Sequence, residues 1–173
     1  AEGEAITHQL ALADWPSPDA DHAVYGEGLG AADGDTVLFE GVDLDIPRGG
    51  HVEVDGTPAA RRALLLALTG RLALTSGDLK VLGLVLPQQA GQVRRDATFV
   101  DGTDPDAARA LADPVGSLVA VDDADRLDAE GRAALAALIA RSDLAVVAGV
   151  SAAADSVHTP SLGVHRSVLI GGA

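Results

Sequence analysis

The chain has 173 residues, 47% of them apolar, with Gly 20 and Pro 8; that is one domain's length with enough apolar surface for a core, and it excludes a disordered or fibrous chain. Acidic residues number 26 against 12 basic ones, and the resulting net charge of −14 argues against nucleic-acid and anionic-lipid partners and opposes a bound nucleotide unless local cations answer it. With no cysteine there is neither a disulfide framework nor a thiolate metal site, and with no apolar run near the ~18 residues of a bilayer span and no visible signal peptide, a cytoplasmic domain without direct membrane insertion is expected.

Phe39, Phe99, Trp15 and Tyr25 are the only large aromatics, so the core is expected to be aliphatic. Residues 6–13 alternate as a strand does. The stretch 14–35, rich in Pro, Gly and Asp, reads as loops around a short strand near Ala23–Tyr25. In 36–50, Val37/Phe39 and then Val42/Leu44/Ile46 alternate ahead of a Pro-Arg-Gly-Gly turn, and 51–55 form the next strand. Leu64, Leu65, Leu68 and Leu72 recur at helical spacing and predict a helix from Pro58 to about Ala73. Thr75–Asp78 turn the chain into a strand in 78–83, and another lies around Ala97–Val100. A short helix is expected around Asp106–Ala112. SLVAVDD (117–123) is a continuous apolar run ending in two carboxylates, as in a strand buried on both faces. Asp128 is placed to cap a helix reaching about Arg141, 144–151 form a second buried strand, and 167–170 the last one. Early alternating strands followed by alternating strands and helices predict an α/β fold: one domain over 1–173, with a mostly antiparallel β flap in 6–50 and an α/β core in 51–173.

The stretch HVEVDGTPAARRALLLAL (51–68) has the layout of a strand, a loop and a helix that hold a nucleotide phosphate, G-x-x-x-x-G-K-[ST]. Counted from Gly56, however, the second glycine falls on Arg61, the lysine on Arg62 and the Ser/Thr on Ala63. Glycines serve such a loop because the backbone must turn tightly and aim successive N–H groups at the phosphates.

Four segments together resemble an ATP-binding cassette, the nucleotide-binding domain of ABC transporters. They are TVLFEGVDLDIPRGG (36–50), HVEVDGTPAARRALLLALTGRLALTSGDLKVLG (51–83), VRRDATFVDG (93–102) and LVAVDDADRLDAEGRAAL (118–135), in the family's order. The resemblance implies a P-loop NTPase core sheet flanked by helices, with an antiparallel β subdomain. It also implies roles: Gly56, Arg62 and Ala63 stand in a diverged Walker A loop, Asp122 at the Walker B aspartate that holds Mg²⁺, Asp123 at the catalytic glutamate, and Asp128 at the D-loop aspartate. Gly102 falls at or beside the Q-loop glutamine, and Val150 at the switch histidine. Between Val100 and Ser117 only a short link replaces the family's helical subdomain with its signature sequence. Arg62 keeps a positive charge but not a lysine's point charge, and Ala63 cannot ligate Mg²⁺.

Each feature also has a plainer reading. Gly56–Ala63 reads as an inherited strand-to-helix turn, with Pro58 in the first helical turn, and Asp122–Asp123 as carboxylates at a strand end. Arg61 and Arg62 are placed to pair with Asp122 or Asp123. His158 reads as a surface residue and Trp15 as a packing anchor. The histidines lack metal-ligand spacing and the serines lack a nucleophile-elbow context.

The sequence thus points to a degenerate cassette, a pseudo-ATPase needing no cofactor. It would act as a regulatory or scaffolding module beside another protein, either a full cassette or a membrane transport component that brings it to the inner face of the membrane; a homodimer is a further expectation. Two alternatives remain open: an ATPase using ATP and Mg²⁺ through Gly56–Ala63 and Asp122–Asp123, with Arg62 for lysine and Asp123 orienting water, and a sensor that binds nucleotide or another anion without turnover.

Overall fold

A computed structural model describes residues 22–141, 143–150 and the backbone of 163–166. Two sheets and four helices account for most of them. The first sheet is antiparallel, in the order β2–β1–β4–β5, from β1 (His22–Asp33), β2 (Thr36–Pro47), β4 (Ser76–Val81) and β5 (Leu84–Leu86). The second has the order β6–β7–β8–β3–β9, from β3 (His51–Asp55), β6 (Ala97–Asp101), β7 (Leu118–Asp122), β8 (Ala145–Gly149) and β9 (Gly163–Arg166). Its first four strands run parallel, and β9 pairs antiparallel on β3. The helices are α1 (Pro58–Leu68), α2 (Ala90–Asp96), α3 (Ala107–Ala112) and α4 (Ala129–Ile139).

The alternation of side chains along β7 and β8 sorts the core into two layers. Leu118 and Ala120 of β7, with Ala145 and Val147 of β8, join α1 and the antiparallel sheet. Val119 and Val121, with Val146 and Ala148, join α3 and α4 on the other face. Both strands are buried throughout, as their continuous apolar runs predict. Asp122 continues the parity of Leu118 and Ala120, so its carboxylate is delivered to the α1 face.

α1 begins at Pro58 behind Thr57, whose side chain accepts a hydrogen bond from the Ala60 N–H. It ends earlier than the leucine spacing suggests. The Arg71 N–H reaches Leu66 O at 2.8 Å and the Gly70 N–H reaches Ala67 O at 3.1 Å, the pairing of a Schellman cap with Gly70 at φ 74. Leu72 therefore lies beyond the helix, in the loop that leads to β4.

Several expectations are corrected. The stretch 14–35 is not mainly loop, since His22–Asp33 form one twelve-residue strand. Its glycines mark irregularities of register against β2 and β4 rather than turns. The antiparallel sheet is not confined to residues up to 50, because it recruits β4 and β5 from Ser76–Leu86. Neither β5 nor α2 was legible in a stretch of mixed polar and apolar residues. The expected strands at 6–13 and 167–170, and the readings of Trp15 and His158, lie outside the described residues.

His51 opens β3, where its Nε2 is buried and, among the described residues, has no hydrogen-bond partner. Burial pushes its imidazole below the ordinary value of 6.5. The unfolded chain therefore takes up this proton first. The contribution to stability is full above the ordinary histidine value and is lost as pH falls from that value toward the depressed one. Denaturation of the wild type and of His51→Phe between about pH 5 and 8 should show a steeper acid-side loss in the wild type; parallel curves would refute this.

Candidate functional site

The C-terminal ends of β3, β7 and β8 converge on the first turn of α1, the crevice where open α/β sheets place their ligands. Only Gly56 and Thr57 separate the end of β3 from the start of α1. Pro58 to Ala60, where a phosphate loop would still be turning, are already helical. Pro58 has no N–H, the Ala60 N–H goes to Thr57 Oγ1 at 3.3 Å, and the Arg61 N–H goes to Thr57 O at 2.9 Å. Pro58 and Ala60, two of the positions that would turn around a phosphate, therefore offer it no backbone donor.

The crevice is filled by Arg61, which is 2% exposed. Its Nε donates to Asp122 Oδ1 at 2.7 Å, its Nη2 to Asp123 Oδ1 at 2.7 Å and its Nη1 to Val150 O at 2.9 Å. All three guanidinium nitrogens are thus engaged, across β7 and the residue that follows β8. Asp122 is almost as buried, at 3% side-chain exposure, while Asp123 is at 19%. Gly149 lets this happen: a Cβ there would stand 2.6 Å from Asp122 Oδ1 and 3.0 Å from Arg61 Cδ. Asp123 itself adopts a left-handed backbone, φ 52 and ψ 43, ahead of a 3₁₀ turn at Ala124–Arg126; aspartate tolerates that region better than most residues.

Arg62 turns the other way. Its side chain, 46% exposed, donates from Nη1 to Asp101 Oδ2 at 3.1 Å and stands 3.9 Å from Asp122 Oδ2, with its guanidinium carbon 5.4 Å from the Phe99 ring centre. Asp101 Oδ1 accepts from the Thr103 N–H at 2.9 Å and the Thr103 hydroxyl at 2.7 Å. Those Thr103 bonds first, and then Arg62, hold the Asp101 carboxyl below its usual range.

The expected pairing of arginines with the acidic pair is present, with roles divided. Arg61, standing at the place of a glycine, bridges both Asp122 and Asp123, whereas Arg62 chiefly meets Asp101. Asp101 was not singled out from the sequence. It ends β6 directly opposite Asp122 in the parallel register, and its position as the terminal acid of the neighbouring strand was the available signal. Gly56 lies between β3 and α1 with φ 149. Ala63 is buried within the core. Asp128 caps α4, accepting from the Gly131 N–H at 2.8 Å. Gly102 follows β6, its N–H donating to Asp122 O at 2.7 Å. Among the described residues no group of three or more side chains is arranged to hold a metal ion.

No protein-family model matches the chain, and no curated protein sequence matches it. Solved structures do share its fold. The chain is similar to cbiO1 from Clostridium perfringens, part of the ABC transporter complex cbiONQ, with a TM-score of 0.58 at 13% identity over 76% of this chain and 79% of that one. It is similar to a bacterial Atm1-family ABC exporter with ATP bound, with a TM-score of 0.58 at 12% identity over 75% of this chain and 35% of that one. The fold is that of an ABC transporter ATP-binding domain. Between β6 and β7 it carries only the six-residue α3 and its flanking loops, so no helical subdomain stands there.

Removing Arg61 strands two carboxylates against a low-dielectric wall. Arg61→Ala should cost about 3–5 kcal/mol in urea denaturation, whereas Arg62→Ala, at a half-exposed pair, should cost less than about 1 kcal/mol. Equal costs at the two positions would refute the division of roles.

Proposed function

We propose that this chain is a non-hydrolytic module built on the ATP-binding-cassette fold, its nucleotide crevice converted into an internal ion-pair cluster. The buried guanidinium of Arg61 carries the reading. It satisfies Asp122 and Asp123, the carboxylates that the resemblance assigns to Mg²⁺ and to water activation. Binding Mg-ATP would require Arg61 to leave a site where all its nitrogens are engaged. A donor ring would also have to form from residues already folded into helix, beside Arg62 in place of a lysine and Ala63 in place of a hydroxyl. The residues present do not fit a nucleoside triphosphate with its cation.

With that chemistry displaced, the fold serves as a surface, and the module works through another protein. The likeness to a subunit described as part of an ABC transporter complex supports a full cassette or a membrane transport component as that partner, on the cytoplasmic side. No helix among the described residues is long and apolar enough to cross a membrane, which agrees with attachment through a partner.

Calorimetric titration of Mg-ATP into the purified chain tests the reading, with Arg62→Ala and Asp122→Ala beside the wild type and phosphate release followed in parallel. The expected result is no saturable heat at millimolar nucleotide and no phosphate release. Micromolar binding lost in both variants would overturn the proposal and restore a nucleotide site; accompanying phosphate release would make the chain an ATPase, and its absence a sensor.

A further inference from the structure

A second concavity lies at the opposite end of α1. Seven residues of helix, about 10 Å at 1.5 Å per residue, separate Arg61 from Leu68, beyond which the Schellman loop, the β4–β5 hairpin and α2 enclose about 230 Å³. Its walls mix polar and aliphatic surface in nearly equal parts, the aliphatic part coming from Leu72, Leu74, Leu79 and Leu86, and its only charged lining residues are Arg71 and Arg94. Both arginines are exposed and stand at its rim. Among the described residues, neither has a carboxylate within ion-pair distance.

The two guanidiniums also have a structural task, which does not exhaust them. Arg71 Nη1 donates to Thr69 O at 2.9 Å and Ala97 O at 3.3 Å, and Arg94 Nη1 donates to Gly70 O at 2.9 Å. These bonds tie down the end of α1 and use one nitrogen of each side chain, leaving the remaining N–H donors of both forks. Partial burial, and then the neighbouring charge of Arg94, hold the Arg71 guanidinium below its ordinary range, although both side chains keep contact with solvent.

We propose that this cleft binds a small aliphatic carboxylate, its carboxylate held by Arg71 and Arg94 and its tail lying against Leu72, Leu74, Leu79 and Leu86. A guanidinium fork matches a planar carboxylate through paired hydrogen bonds. The four leucines on one part of the wall favour a hydrocarbon tail, which an inorganic anion lacks. The volume of about 230 Å³ lies below the usual range of ligand pockets, which sets a short chain rather than a long acyl group.

Titration of hexanoate, followed by calorimetry and by amide shifts, tests this. Hexanoate should saturate the chain and move the amides of Gly70–Leu74 and Leu86–Ala90, acetate should bind more weakly, and hexylammonium should not bind. Arg71→Gln and Arg94→Gln should each weaken hexanoate roughly tenfold through the lost charge-assisted bonds. Because either change disturbs the α1 cap, Ala73→Phe provides an independent variant that obstructs the cleft from an exposed loop position; it should abolish binding with the fold intact by circular dichroism. Equal binding of hexanoate and hexylammonium, undiminished binding in Ala73→Phe, or saturation by an acidic peptide but not by hexanoate would each overturn the proposal.

Discussion

The carboxylates of Asp122 and Asp123 sit at the end of a strand buried on both faces, and buried carboxylates need a partner. In this molecule the partner is Arg61, and much of the local structure follows from that choice. The guanidinium reaches β7 only if residue 61 is already in the first turn of α1. That requires the helix to begin at Pro58, with only Gly56 and Thr57 after β3, and a chain already helical there does not trace the open turn of a phosphate loop. The ion-pair cluster and the missing loop are two aspects of one geometry. Gly149 belongs to it as well, since a side chain there would collide with both members of the pair.

The division between Arg61 and Arg62 shows how neighbouring positions on a helix acquire different chemistry. Successive residues point about 100° apart around the axis. Arg61 is carried inward, toward the ends of β7 and β8, while Arg62 is carried toward β6, where Asp101 and Phe99 receive it at a partly exposed edge. The first is a buried, fully coordinated pair. The second is a surface pair supported by an aromatic face, where solvent screens much of the attraction. A sequence reader aligning the lysine of a phosphate loop arrives at Arg62, yet the geometry gives the central position to Arg61.

Legibility followed burial. The runs that became β7 and β8 were plain because a strand buried on both faces must be apolar throughout. Asp122 and Asp123 were found because two acids ending such a run are conspicuous. β1 was legible only as a short strand near Ala23–Tyr25, because its glycines and acids mimic a loop; the partner strands β2 and β4 reveal that it is paired along its length. The end of α1 was misplaced because Leu72 continues the helical spacing, and the Schellman cap depends on the conformation of Gly70, which spacing does not report. β5 and α2 have half-buried, mixed faces that give little periodic signal. Asp101 was overlooked because its meaning depends on β6 and β7 lying in register, a tertiary fact.

The parity of β7 has a consequence for how the sheet finds its alignment. Leu118, Ala120 and Asp122 face α1, while Val119 and Val121 face α3 and α4. A slip of the strand by one residue would turn every side chain to the opposite layer. Val121 would then meet the guanidinium of Arg61, and the Asp122 carboxylate would enter a layer built of valine, leucine and alanine. Aliphatic side chains alone discriminate poorly between the two alignments, because both layers are apolar and their residues similar in size. The charge at the strand's end separates them by the cost of an unpaired buried ion. The ion-pair cluster therefore adds an energetic penalty against a one-residue slip that the aliphatic run preceding it would supply only weakly.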